Sequence, residues 1–243
     1  MENELKMVVL DMAGTTMVDK HEVEFCFAQA CKATGLDVSD ERILAIQGWA
    51  KKFVFELLWD EQIGKVHPDY RNRVNASFNK FKEILEIHYS TEEVIPTEGA
   101  VDLLKALKKK EIKIVLTTGF YREVTDIILK RLNWFDGLDE NRIGNATSFI
   151  DMSITSEEVA AGRPAPDMVY KAMATFGIEN SKEVICIGDT PSDLGCGKNA
   201  NCMYVFGLTN GTHTKEQLEK YENDGLWPSL VAFHQFLISE NYL

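Results

Sequence analysis

The sequence lacks a long hydrophobic run, and basic residues are in the minority. No apolar stretch reaches the about eighteen residues that a bilayer-spanning helix needs, and we expect no signal peptide ahead of the first strand. The 243 residues include 26 Lys and Arg against 38 Asp and Glu, a formal net charge of -12. Nucleic acid and anionic membrane surfaces repel such a charge. These absences predict a cytoplasmic protein with neither nucleic acid nor membrane as a partner.

Cysteine patterns typical of metal sites or disulfide scaffolds are also missing. There is no Cys-x-x-Cys pair and no metal-ligand spacing among the five cysteines, which are Cys26, Cys31, Cys186, Cys196 and Cys202. An odd count suits a reduced cytosolic protein. Cys186 lies within an apolar run, where a free thiol behaves as a small hydrophobe. We therefore expect reduced thiols.

Three short apolar runs are present, and each ends in polar residues. A short run bounded by glycine-containing turns is typical of a buried parallel strand. Residues 7–10 lead into Asp11, residues 112–116 lead into Thr117 and Thr118, and residues 184–187 lead into Gly188 and Asp189. Ligands of open α/β sheets bind outside the carboxyl ends of the strands. These polar residues are therefore candidates for one common site, although an aspartate such as Asp11 can also merely cap a turn.

A fourth segment, Ala-Ala-Gly-Arg-Pro-Ala-Pro over residues 160–166, holds Arg163 in a stiff loop before a helical pattern. The other motifs are Asp-Met-Ala-Gly-Thr-Thr at 11–16, Thr-Thr-Gly-Phe at 117–120 and Gly-Asp-Thr-Pro-Ser-Asp at 188–193. In this order they resemble the four signatures of the haloacid dehalogenase superfamily. Within it the chain is similar to the phosphonatase branch, phosphonoacetaldehyde hydrolase and its phosphonatase-like relatives. The resemblance covers most of the chain and is specific to the branch rather than to one substrate.

The organisation of the chain agrees with an insertion in an α/β domain. Apolar residues recur at helical spacing from about residue 19 to 93, with no strand signal, whereas strands and helices alternate after Pro96. The strand at residue 7 must rejoin the later strands in one parallel sheet. We predict a Rossmann-like, doubly wound parallel α/β core over residues 1–18 and 95–243. An all-helical cap over residues 19–94 covers the carboxyl edge of its sheet.

The element boundaries follow from capping residues, glycine and proline. One predicted helix starts at Ser39, and a long one follows Pro68. The other predicted helices cover residues 22–35, 52–64, 97–110, 121–133, 166–176, 192–200, 215–221 and 230–238. Predicted strands after the first cover 112–117, 148–154, 184–187 and 203–206.

Asp11 and Asp189 would end neighbouring strands, so their carboxylates could share one cation. Hard oxygen ligands completed by water and substrate phosphate suit Mg²⁺. The resemblance adds the backbone carbonyl of Ala13, and it implies that Asp193 is an outer acceptor or a water-mediated ligand. For Asp193, stabilisation of a helix N-terminus is an equal alternative.

With a cation in place, Asp11 can attack phosphorus in line and form an aspartyl-phosphate. The Thr118 hydroxyl and the Gly119 amide would bind the phosphoryl oxygens of the substrate. If the strand ends one residue earlier, the Thr117 hydroxyl would bind them in place of Thr118. Arg163 would set a cation against Asp11 and the phosphoryl group, where many family members carry lysine. Its alternative is a surface salt bridge.

Ala13 occupies a position where most phosphatases and mutases of this superfamily carry an acid–base aspartate, and alanine transfers no proton. In phosphonoacetaldehyde hydrolase a cap lysine forms a Schiff base with the aldehyde. The segment Gln-Gly-Trp-Ala-Lys over residues 47–51 matches the family's Met-Gly-x-x-Lys at Gly48 and Lys51. Gln47 replaces the methionine and no histidine follows shortly after. Two reactions therefore stay open. One is P–C cleavage with Lys51 as the amine, and the other is phosphate monoester hydrolysis in which Lys51 only binds substrate. A third alternative is that Lys51 is a solvated surface lysine without a role.

Other residues carry weaker predictions. Trp49 is a candidate for the cap side of a pocket that takes a small phosphorylated or phosphonate substrate, although tryptophan is more often core or interface. Arg122 resembles a branch position near the phosphoryl group, but it also suits a surface pair with Asp126. A cap-mediated homodimer is plausible because the predicted cap helices are rich in phenylalanine, at Phe25, Phe27, Phe53 and Phe55. A non-enzymatic binding protein is disfavoured, because the nucleophile and metal positions are filled.

Overall fold

A six-stranded, all-parallel sheet forms the centre of the molecule in a computed structural model that describes residues 4–46 and 49–243. The strand order is β3-β2-β1-β4-β5-β6. The strands are β1 (Met7–Asp11), β2 (Lys113–Thr118), β3 (Met152–Thr155), β4 (Val184–Gly188), β5 (Tyr204–Leu208) and β6 (Gly225–Trp227). Because the chain moves to one side of β1 for β2 and to the other side for β4, the strand order reverses at β1. Such a reversal opens a crevice at the carboxyl ends of the strands.

Four helices lie within residues 19–46 and 49–94, between β1 and the rest of the core. They are α1 (Glu22–Thr34), α2 (Asp40–Ala45), α3 (Lys51–Ile63) and α4 (Tyr70–Thr91). The helices of the core are α5 (Ala100–Lys109), α6 (Arg122–Arg131), α7 (Asp167–Phe176), α8 (Pro191–Asn199), α9 (Lys215–Leu218) and α10 (Leu230–Ser239). No strand occurs in residues 19–46 or 49–94. The predicted fold class, a doubly wound α/β core with an inserted helical cap, is confirmed.

Alternate residues of the strands face opposite layers, as a two-residue repeat requires. Val8 and Leu10 of β1 belong to the larger apolar cluster, which contains buried residues of α5, α6, α10 and the cap. Met7 and Val9 belong to a second cluster with α7 and α8. Because both faces of β1 are covered, its sequence is apolar throughout rather than alternating.

The cap has an aromatic interior that is continuous with the larger cluster. Phe27 of α1 stacks on Phe55 of α3 with ring centroids 4.6 Å apart, and Phe81 of α4 packs edge-on to Phe27 at 5.8 Å. Phe27 and Phe55 are thus core residues. Phe25 and Phe53 are 62% and 51% exposed, so the homodimer prediction now depends on these two alone. It stays a prediction.

The two connections between cap and core lie side by side. The backbone N–H of Val18 donates to the carbonyl of Ile95 at 3.1 Å, and that of Thr97 donates to the carbonyl of Thr16 at 3.0 Å. This pairing coincides with the predicted boundaries at residues 18 and 95, which stay predictions. No helix in residues 4–46 or 49–243 is both long and apolar enough to cross a membrane.

The sequence misplaces three elements. β3 begins at Met152, because residues 148–150 lie in turns and bends instead of the predicted strand. The predicted helix at 215–221 is a single turn, α9. The edge strand β6 was missed because three residues are too few to show a period. The other predicted helices and strands are present to within a few residues, and all five cysteines are free and buried as expected.

Candidate active site

Asp11 is the last residue of β1 and is only 5% exposed. The chain turns sharply after it, and the backbone N–H groups of Thr16 and Met17 both donate to the carbonyl of Met12 at 2.9 Å. The Thr16 hydroxyl donates to the carbonyl of Asp11 at 2.9 Å. This turn holds the carboxylate of Asp11 at the carboxyl edge of the sheet.

Asp11, Asp189 and Asp193 form a cluster of buried carboxylates, and one oxygen from each lies within 4.8 Å of the other two. Asp189, which follows β4, accepts from the Thr15 hydroxyl at 3.0 Å and from the Thr212 backbone N–H at 2.6 Å. These bonds fix its orientation. Three oriented carboxylates of this kind fit a hard divalent cation.

Asp193 stabilises the N-terminus of helix α8, which is one of the two roles that the sequence left open, and its role as a metal ligand stays a prediction. Its Oδ2 accepts from the Thr190 backbone N–H at 2.9 Å and from the Thr190 hydroxyl at 2.7 Å, which caps helix α8. Its Oδ1 accepts from Arg163. The capping bonds therefore hold its carboxylate within the acidic cluster.

Arg163 forms a buried ion pair at the centre of the site. Its Nη1 donates to Asp11 Oδ1 at 2.5 Å and also to Asp193. The side chain is only 3% exposed, so the surface salt-bridge alternative is wrong. The guanidinium Nε is buried and has no hydrogen-bond partner within the described chain. A bound anion would supply the missing acceptor.

Burial dominates the electrostatics of Asp11. Loss of water and, to a smaller extent, the charge of Asp189 outweigh the opposing charge and hydrogen bond of Arg163, and the net effect raises the pKa of the Asp11 carboxyl to about 6. Like charges this close disfavour simultaneous ionisation, and a bound divalent cation reverses that preference. The donor set therefore fits a metal ion electrostatically as well as sterically.

A small chamber lies between this cluster and the cap, with about 360 Å³ of unfilled space that is partly open to solvent. On the core side it is lined by Asp11, Ala13, Thr118, Gly119, Phe120, Arg163, Thr190 and Thr212. On the cap side it is lined by Asp19, Val23 and Lys51. Thr118 rather than Thr117 reaches the chamber, because β2 continues through Thr118 and adjacent side chains point to opposite faces.

Lys51 is the first residue of α3 and is 7% exposed, whereas its neighbour Lys52 is exposed. A solvated lysine is therefore the wrong description of Lys51. Burial, and next the positive charge of Arg163, lower the pKa of its amine to about 8, although Asp19, Glu24 and Asp11 act in the opposite direction. A substantial fraction of this amine is neutral near physiological pH.

Residues 5–201 match the haloacid dehalogenase-like hydrolase family. The chain belongs to this family. A phosphonoacetaldehyde hydrolase from Bacillus cereus is 29% identical over 227 residues, which cover 86% of this chain and 77% of that protein. A hydrolase from Pseudomonas syringae has a TM-score of 0.76 at 20% identity, over 96% of this chain and 98% of that one. A phosphonoacetaldehyde hydrolase like protein from Oleispira antarctica has a TM-score of 0.75 at 15% identity, over 99% and 94%.

Two predicted substrate-binding residues of this haloacid dehalogenase-like hydrolase, Trp49 and Arg122, do not line the chamber. Trp49 is half-buried and packs towards Phe53, with ring centroids 5.9 Å apart. Arg122 instead binds Glu158 at 2.7 Å and Asp126 at 3.4 Å, which agrees with the ion-pair alternative and uses its charge outside the chamber. Gly48 lies outside the described residues. Their roles in substrate binding stay predictions.

Five residues of the chamber wall were not predicted from the sequence, and they are Asp19, Val23, Phe120, Thr190 and Thr212. Thr212 belongs to the loop after β5, and its position after a strand end was a usable signal. Nothing in the sequence pattern indicated Asp19, because a single carboxylate between two predicted elements is usually exposed to solvent. Its partial burial follows only from the packing of the cap against the core.

Proposed function

We propose that this hydrolase cleaves the P–C bond of a small phosphonate aldehyde, with phosphonoacetaldehyde as the best candidate. The observation that carries the proposal is the buried Lys51, with a pKa lowered to about 8, in the same chamber as Asp11. An amine that is partly neutral is what addition to an aldehyde requires. The curated relative from Bacillus cereus bears the name of this activity and supports the same choice.

The three-aspartate cluster suits Mg²⁺, held by Asp11 and Asp189 with the Ala13 carbonyl and with Asp193 as an outer or direct ligand. When bound, Mg²⁺ would neutralise the repulsion between carboxylate and phosphoryl oxygens and polarise the phosphorus centre. The hydroxyl of Thr15 and the backbone N–H of Thr212 keep Asp189 ready for this role.

Asp11 is the proposed nucleophile, and its neighbours are the proposed phosphoryl ligands. Thr118 ends β2 beside β1, with its hydroxyl oxygen accepting from the Phe120 N–H at 3.1 Å, which leaves the hydroxyl proton to donate. Gly119 lines the same wall. Arg163 supplies positive charge and the unused Nε. Catalysis of phosphoryl transfer depends mostly on such positioning and charge.

The Lys51 amine stabilises the leaving carbon, which Ala13 cannot do because alanine transfers no proton. The neutral amine adds to the aldehyde carbon, and loss of water gives a protonated imine. As Asp11 bonds to phosphorus, the P–C electron pair forms a C=C bond and the C=N pair moves onto nitrogen. A proton returns to the terminal carbon, and water then releases acetaldehyde from Lys51 and phosphate from Asp11. The leaving carbon needs no acid at the position of Ala13.

Hydrolysis of a phosphate monoester is the second candidate. Gln47 in place of methionine, and the absence of a histidine shortly after Lys51, favour it.

Borohydride trapping tests the proposal. With phosphonoacetaldehyde and borohydride, the enzyme should lose activity, and mass spectrometry should find a reduced adduct at Lys51. Lys51→Arg should abolish the adduct, because guanidinium keeps the charge but forms no imine. Lys52→Arg, on the exposed neighbour, is the matched control and should be trapped like the wild type. No adduct, together with steady phosphate release from simple monoesters, would leave the phosphatase alternative.

A further inference from the structure

Asp19 is a half-buried carboxylate on the cap side of the chamber that none of the proposed roles uses. It lies between β1 and α1 and lines the chamber together with Lys51 and Asp11. Its Oδ1 accepts from the backbone N–H of Glu22 at 3.0 Å, which fixes the carboxyl at the start of α1. A fixed carboxyl that faces a reactive amine is placed to move protons.

The surroundings of Asp19 favour its protonated form. Burial is the largest cause, followed by the hydrogen bond and charge of Glu22 and the charges of Asp189 and Glu24, and together they raise the pKa of Asp19 to about 8. The titratable and charged groups of the surrounding elements are Glu22 and Glu24 on α1, Lys51 on α3, His88 on α4, Asp11 and Asp189 at the strand ends, Arg163 and His213. Asp19 is therefore an acid at neutral pH.

Formation of an imine at Lys51 needs such an acid. The addition product carries a hydroxyl group on the former aldehyde carbon, and this group leaves readily only as water. Ala13 cannot supply the proton, and Lys51 itself has become the attacking nitrogen.

We infer that Asp19 is a catalytic acid–base residue of this enzyme. Its carboxyl gives a proton to the departing hydroxyl, so that water leaves, the C=N bond forms and Asp19 becomes a carboxylate. When water adds to the product imine, the carboxylate takes a proton back from that water. The inference rests on the proposed function of Lys51.

The test isolates imine formation by using acetaldehyde, the product aldehyde, as the probe with borohydride. Asp19→Asn keeps the size and the bond to Glu22 but removes the acid, so the rate of trapping at Lys51 should fall by about 10²–10⁴-fold. Asp19→Glu restores the acid and should recover part of that rate. Asp69→Asn, an exposed cap residue at the start of α4, is the matched control and should react like the wild type.

The pH profile separates a catalytic role from a structural one. The neutral amine of Lys51 increases as the pH rises through about 8, whereas the acid form of Asp19 decreases through about 8. The wild-type rate should therefore pass through a maximum, and Asp19→Asn should lose the alkaline decline. A wild-type rate without that decline, or trapping of Asp19→Asn at the wild-type rate, would overturn the role of Asp19 alone. No adduct at Lys51 in the wild type would overturn the proposed function, and the role of Asp19 with it.

Discussion

Asp11 and Lys51 have pKa values shifted in opposite directions by the same cause. Burial disfavours the charged form of each group, so it raises the pKa of the Asp11 carboxyl to about 6 and lowers that of the Lys51 amine to about 8. Arg163, beside Asp11, opposes the first shift and adds to the second. One buried cation thus favours both the ionised form of the nucleophile and the neutral form of the amine.

Asp11→Asn should abolish turnover while leaving the fold intact. The amide keeps the size of the side chain but cannot attack phosphorus, so phosphate release should fall on the order of 10⁴-fold or more. Circular dichroism should match the wild type. Asp102→Asn, on the exposed face of α5, serves as a control and should keep full turnover. Turnover within about tenfold of wild type would remove Asp11 from its proposed role.

The turn after β1 is the element on which the acidic cluster depends. Gly14 has a φ of +84°, and a Cβ at this position would lie 2.2 Å from Asp189 Oδ2. Only glycine allows the turn and the carboxylate to approach this closely. The glycine of the first motif is therefore explained by the packing of two strand ends.

Gly14→Ala should weaken Mg²⁺ binding in addition to lowering the stability of the fold. The strained φ should lower the free energy of unfolding by about 1 kcal/mol, and displacement of Asp189 should raise the Kd for Mg²⁺ in calorimetry. Gly177→Ala provides the comparison, because Gly177 has a φ of +64° with no atom within 4 Å of its Cβ position. Gly177→Ala should lower the free energy of unfolding without changing the Kd for Mg²⁺. Equal Mg²⁺ affinities in the two variants would contradict this account of the turn.

At the scale of the whole molecule, the groups that are assigned contact with substrate have little access to solvent. Asp11, Lys51 and Arg163 are all buried between cap and core. We therefore expect the cap to open, with the paired connections near Val18 and Ile95 as its hinges. Hinges of this kind absorb domain movements in a few residues.

Small-angle scattering should detect this movement. The enzyme alone should sample more open states than the enzyme with Mg²⁺ and a non-hydrolysable phosphonate, so the radius of gyration should decrease on addition of both. Mg²⁺ without the phosphonate is the control and should produce a smaller change. Superimposable profiles under all three conditions would indicate a fixed cap.

Much of the candidate site could be predicted because its residues follow strands. Asp11, Thr118 and Asp189 each come directly after a run whose burial is readable from composition, and parallel strands place their carboxyl ends together. The prediction of Lys51 depended on the resemblance of its motif to that of the family, since nothing in the local sequence pattern distinguishes Lys51 from Lys52. Arg122 was ambiguous because an arginine that starts a helix suits an ion pair as well as an anion site.

The sequence by itself determined the α/β core, the inserted helical cap and the acidic cluster, because apolar periodicity and strand-end residues are local properties of the chain. Tertiary structure alone decided which charged residues of the cap are buried. Asp19 and Lys51 are far apart in the sequence, and only the packing of cap on core brings both to one chamber and shields Lys51 almost fully and Asp19 partly from water. Their shifted pKa values, and the proton transfer we infer from them, arise from that desolvation and not from any local pattern.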